Sequence, residues 1–289
     1  MPQTNLPDFD SLWDYSAPDK TEAKFRELLP QFPENELAHI ELLTQIARTQ
    51  GLQRKFDEAH QTLDEVEKQL DENPSRAKVR YLLERGRVFN SSMQVEESKP
   101  FFEQALDLAK TLGEDFYAVD AIHMLAIIAD PASALTLNLS AIQLAESSLE
   151  EKARNWLGSL YNNMGWTYHD MGDYESALEI FQKAESFFRA KGNVDKLRIA
   201  AWTMARCLRS LNRLDEALSK QLALYGEIES AGEVDGFVYE EIGECLLALQ
   251  RGEEAKPYFA KAFEVLSKDE WLVENERDRI MRLKQFGGV

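Results

Sequence analysis

Nine residues from Asn162 to Asp170, NNMGWTYHD, set an amide, an indole, a histidine and a carboxylate side by side. A histidine next to an acid is the raw material of general acid–base catalysis, and an indole offers a stacking face. Successive residues of a helix diverge by about 100°, so in a helical stretch His169 and Asp170 do not orient each other. The other histidines, His39, His60 and His123, complete no HExxH or other metal-ligating spacing. The sequence has no phosphate-binding glycine loop after a strand and no nucleophile elbow. Cys207 and Cys245 are too few for a disulfide framework or a thiolate zinc site, and they read as two small buried residues in a reducing compartment. These residues predict neither an enzyme nor a cofactor or metal site.

The charge narrows the partners. Acidic residues number 51 against 33 basic ones, a formal charge of −18 over 289 residues, which repels nucleic acid and anionic membranes. The opening MPQTNLPDFDSLWDY has no basic n-region followed by an apolar stretch, and no later run approaches the ~18 apolar residues of a membrane span. The expectation is a folded, cytoplasmic protein.

Repetition supplies the elements that position these residues. Tyr161, Met164, Gly165 and Tyr168 recur at helical spacing, a Met171-Gly172-Asp173 turn follows, and Ala177, Phe181 and Ala184 continue the period in a second helix. The same skeleton returns as Tyr239, Ile242, Gly243 and Leu246 with Ala255, Phe259 and Ala262, and as Ala201, Met204, Ala205 and Leu208 with Ala217, Gln221 and Leu224. Earlier copies run through Leu82, Gly86, Phe102 and Ala105, and through Leu43, Ala47, Ala59 and Leu63, with a degenerate copy around Ala126, Ala134 and Asn138. The small residues opening the second helices, at 59, 98, 134, 177, 217 and 255, give a period of about forty. Small residues at a fixed place let two helices cross closely, as stacked helical hairpins require.

The pattern resembles the tetratricopeptide repeat: Tyr161-x2-Met164-Gly165-x2-Tyr168 and Ala177-x3-Phe181-x2-Ala184 match its two helices, and the resemblance covers residues 36–268. The family repeat is ~34 residues long, so this chain is similar to the long-helix, bacterial-type branch, and most copies lack the closing proline. The resemblance implies an all-α, right-handed superhelical solenoid of antiparallel helix-turn-helix repeats. Residues 1–18 read as a non-repeat arm, 19–35 as a capping helix with Asp19 or Thr21 as N-cap, 36–268 as six hairpins, and 269–289 as one closing helix and tail.

In this family the first helix of each repeat lines a concave groove. Carried over position by position, the resemblance places Arg80, Arg87, Asn90, His123, Asn162, Trp166, His169, Trp202, Arg206 and Arg209 on that surface. Its middle reads as basic and aromatic, with Arg80, Arg87, Arg206 and Arg209 holding carboxylates, Asn90 and Asn162 a peptide backbone, and Trp166 and Trp202 apolar side chains. The lysines of the family's chaperone-tail clamp are not matched. The implied function is non-catalytic binding of an acidic or C-terminal peptide or an extended protein segment, with no nucleic acid or membrane partner. A peptide-sensing regulator and a self-associating scaffold, such as a homodimer, are the alternatives. The arm, PDFDSLWDYSAPD, is acidic and aromatic, the complement of such a groove, and its lying in that groove or a neighbour's is a further reading.

Overall fold

A computed structural model describes residues 8–34 and 36–289, so residues 1–7 of the expected arm lie outside the described residues. The described residues are helices joined by turns, with no strand, and they divide into two compact units, Met1–Leu157 and Gly158–Val289. The all-α hairpin architecture expected from the repeats is the one observed.

In the first unit a short 3₁₀ turn, Phe9–Leu12, precedes α1 (Pro18–Leu28). Ala17 and not Asp19 or Thr21 is the N-cap, because Pro18 already has the φ of a first helical residue. Thr21 instead bonds back to the main chain of Asp14 at 3.1 Å. Three hairpins follow: α2 (Leu37–Leu52) with α3 (Phe56–Gln69), α4 (Arg76–Ser91) with α5 (Val95–Leu112), and α6 (Asp115–Ile128) with α7 (Pro131–Ser147). A one-turn helix, α8 (Glu151–Arg154), has no counterpart in the repeat pattern and packs on α6 and α7.

The second unit holds α9 (Leu157–Asp170) with α10 (Tyr174–Lys191), α11 (Val194–Ser210) with α12 (Leu214–Ser230), and α13 (Gly236–Ala248) with α14 (Gly252–Leu266). The chain closes in two helices where one was expected, α15 (Glu270–Asn275) and α16 (Arg277–Gly287). Glu276 leaves the helical region at φ −123°, ψ 41°, and the bend lays α16 against α14, with Gly287 beside the Ala260 backbone.

One geometric rule closes the hairpins. In five of them a residue of the inner turn is left-handed: Arg54, Met93, Gly172, Asn212 and Gln250, each five places before the small residue of the second helix. The third hairpin has extended Ala129 there instead (ψ 160°), which explains why its copy looked degenerate. Above the turn, the small residue of the first helix meets a bulky side chain sixteen residues later. A Cβ added at Gly86 would lie 2.5 Å from the Phe102 ring, and one at Gly243 2.9 Å from the Phe259 ring; Gly165 stands in the same relation to Phe181. The three phenyl rings are fully buried, so they have nowhere to retreat.

The fifth hairpin breaks the rule. Gln221 takes the aromatic's place opposite Ala205, fully buried, with neither amide atom hydrogen-bonded. A buried, unpaired amide costs about 1–3 kcal/mol, whereas an apolar group of the same shape does not. Gln221→Met should therefore raise the melting temperature, by an amount equivalent to about 1 kcal/mol or more, in a thermal melt followed by circular dichroism. Gly165→Ala should lower it by about 1–3 kcal/mol. Gly226→Ala, on the exposed side of α12 with open space around it, should raise it by about 0.5–1 kcal/mol.

Candidate functional site

In the first unit, the residues expected to receive a peptide already hold one another. Arg80, 5% exposed on α4, donates to both oxygens of Asp10 at 2.9 and 3.0 Å and faces Glu41 of α2 at 3.3 Å. Arg87 is paired with Glu84 on its own helix at 2.6 Å and with Asp120 of α6, and Arg48 of α2 reaches the same Glu84 at 3.1 Å. Burial pushes the Asp120 carboxyl up, but the Arg87 and Arg48 guanidiniums together outweigh it and hold the group below the usual carboxylate range. Glu41 goes the other way: burial pushes it up against the pull of Arg80. His123 lies against the Trp156 ring at 5.1 Å, its pKa lowered by burial against the pull of Asp120. Asn90 stands half-buried on the last turn of α4.

The carboxylates that Arg80 and Arg87 were expected to take from a partner are supplied here by the chain itself, from Asp10 and Glu41 for Arg80 and from Glu84 and Asp120 for Arg87. Sequence reasoning counted the cations along one register and left out Glu84, which sits a helical turn away on the same strip. In the second unit Arg209 is paired in the same way: it donates to both oxygens of buried Glu241 on α13, at 2.5 and 3.1 Å.

The remaining residues of the second unit converge. The Arg206 guanidinium lies between two indoles, 5.5 Å from the Trp166 ring on α9 and 5.5 Å from the Trp202 ring on α11. Among the described residues no carboxylate lies within 4.0 Å of it. Trp202 donates from Nε1 to the Phe237 carbonyl at 3.1 Å and meets the Phe237 ring edge-on at 6.4 Å. Beside them Ile199, Trp202 and Phe237 line a cleft of about 470 Å³ whose rim carries Asp195, Arg198 and Asp235. Ile199 and Phe237 are 47% and 38% exposed, so the row presents apolar surface beside an unpaired cation. Asn162, one turn before Trp166, is half-buried, and among the described residues no hydrogen bond reaches its side chain.

His169 Nε2 lies 2.9 Å from Ser210 Oγ, and its Nδ1 lies 3.7 Å from Asp170 Oδ1. The order serine, histidine, aspartate resembles a catalytic triad, but the geometry does not make one. A separation of 3.7 Å is not a hydrogen bond, and the Asp170 side chain is 73% exposed. Ser210 is the last residue of α11, at the negative end of a helix dipole, the reverse of what an oxyanion needs. Both cysteines are buried and unpaired, and burial pushes their thiols up to about 11 at Cys207 and about 12 at Cys245. Such thiols are not nucleophiles. Among the described residues no group of His, Cys, Asp and Glu is placed to hold a metal ion, and no helix is long and apolar enough to cross a membrane.

Residues 124–190, from α6 to the end of α10, match the family model of the tetratricopeptide repeat. Those residues carry the tetratricopeptide repeat. No curated protein matches the sequence. Among solved structures, this chain is similar to NprR in complex with its cognate peptide NprX, with a TM-score of 0.59 and 18% identity over 96% of this chain and 82% of that one. It is also similar to the apo form of RapI, at 0.69 and 12% over 96% and 84%. A third similar structure is aspartyl phosphate phosphatase F from Bacillus subtilis, at 0.60 and 14% over 99% and 86%. At these identities the likeness is one of fold.

Within the repeats, burial and then the Arg206 cation lower the His169 pKa from its ordinary 6.5. Because the folded value lies below the unfolded one, His169 contributes stability that is present above pH 6.5 and lost as the pH falls toward the folded value. In Arg206→Gln the His169 pKa should rise toward 6.5 in an NMR titration, while Arg206→Lys, which keeps the charge, should leave it low.

Proposed function

We propose that this tetratricopeptide-repeat chain is a non-catalytic interaction module that takes an extended peptide segment along α9, α11 and α13. Its ligand is a segment with a carboxylate next to an aromatic or branched aliphatic side chain. The observation that carries this reading is Arg206: a guanidinium held between two rings, with no carboxylate of its own, beside an apolar cleft. The indoles fix the position of the guanidinium without neutralising it, so its planar donors stay available to a carboxylate. Trp202, Phe237 and Ile199 offer apolar area to the neighbouring side chain, and the Asn162 amide can bond a peptide main chain. Peptide sensing is a second reading, supported by the likeness to NprR, which was solved with its cognate peptide.

Selection of a random peptide library on the full chain tests the proposal. The enriched sequences should pair an acidic residue with an aromatic or aliphatic one. A selected peptide should bind Arg206→Glu and Trp202→Ala at least ten-fold more weakly, with the melting temperature unchanged within a few degrees. Equal binding to both variants would reject the site. Arg209 is unsuited to this test, since its loss strands the buried Glu241 carboxylate.

A further inference from the structure

The first unit carries a segment of the chain itself across its first helices. Phe9 is 1% exposed and meets the Phe32 ring edge-on at 5.7 Å. Asp10 takes the Arg80 guanidinium on both oxygens, and Asp8 takes Lys152 of α8 at 2.6 Å. Trp13 donates from its indole to Gln45 of α2 at 3.0 Å and stacks on Tyr15 at 4.8 Å. The Arg48 guanidinium stands 5.6 Å from each of those two rings. Acid meets base at Asp8 and Asp10, and ring meets guanidinium at Trp13 and Tyr15.

Two features separate this segment from an ordinary packed element. Among the described residues, the main chain of Asp8–Trp13 makes hydrogen bonds only within itself and that of Asp14 bonds only Ala17 and Thr21, so side chains alone hold the segment on α2, α4 and α8. A cleft of about 420 Å³ also continues beside it, lined by Arg76, Arg80, Tyr117, Glu150 and Lys152 together with Asp8 and Asp10. The segment does not fill the surface it lies on.

We propose that the face formed by α2, α4 and α8 is a binding surface for acidic, aromatic peptide segments of a partner protein, and that Phe9–Tyr15 is the occupant it carries in cis. A partner segment binds there by displacing it, meeting Arg80 and Lys152 with carboxylates and Gln45 and Arg48 with an aromatic pair. The surface is separate from the Arg206 row, and neither reading depends on the other.

The test keeps the whole chain. A site-specific protease sequence is inserted between Ser16 and Ala17, and the purified protein is cut there. A fluorescent peptide with the sequence of residues 8–16, DFDSLWDYS, is then added. Helicity by circular dichroism should survive the cut. The peptide should exchange into the face saturably and be chased off by unlabelled peptide. Binding should weaken at least ten-fold in Lys152→Glu, and at least ten-fold for a peptide carrying Asp10→Asn with Trp13→Ala. Trp202→Ala should leave the exchange unchanged, which separates this surface from the Arg206 row. Collapse of the helices after the cut, a segment that never exchanges, or binding indifferent to both sets of changes would each overturn the proposal.

Discussion

Each well-formed hairpin rests on one close approach, in which a small residue of the first helix admits a bulky side chain of the second sixteen positions on. Gly86 with Phe102, Gly165 with Phe181 and Gly243 with Phe259 make the approach with a phenyl ring, and Ala47 lies sixteen positions before Leu63. Because the ring occupies the space where a Cβ would stand, the close-packed crossing leaves no room for a larger residue. The turn beneath it must then return the chain at a fixed offset, and the left-handed residue five places before the second small position does so. The rest of each unit is built on that brick, including which face of each first helix meets its neighbours.

On those faces the chain spends charge on itself. Its formal charge of −18 hides a strip of arginines, and most of them are matched by carboxylates of the next helix or the next turn. Buried pairs of this kind add little net stability against an apolar alternative, but removing one partner is expensive, so they fix which helix sits beside which. Arg206 differs because its neighbours are indoles, which hold a guanidinium in place without cancelling its charge. Arg80 differs in another way, since half of its partnership comes from Asp10, outside the repeats.

The fold was legible in the sequence because the hairpin signal is redundant. Gly165, Phe181 and the Met171-Gly172-Asp173 turn have counterparts elsewhere in the chain, so an error in one copy is corrected by the others. The third copy, whose turn is extended at Ala129, and the inserted α8 lie where that redundancy fails. The site was legible only in part. The family resemblance set Trp166, Trp202, Arg206, His169 and Asn162 on one surface, and the structure carries them on α9 and α11. Arg80, Arg87 and Arg209 carried the same signal, yet each is tied off. A residue's place on its own helix can be read from a period of 3.6, but its partner on another helix cannot.

The sequence by itself determined the hairpins and their period of about forty, because those follow from local spacing and steric size repeated along the chain. Only the tertiary structure decided which cations remain available, because neutralisation depends on atoms a few ångströms apart that lie thirty to seventy residues apart in the chain. Glu241 reaching Arg209 at 2.5 Å and Asp10 reaching Arg80 at 2.9 Å are such pairs, and nothing in either local sequence announces the other. NNMGWTYHDMGDYESALEIFQKA joins both kinds of information. Its repeated residues built a hairpin the sequence could describe, and its unrepeated Trp166 acquired its meaning only when Arg206 came to lie across it.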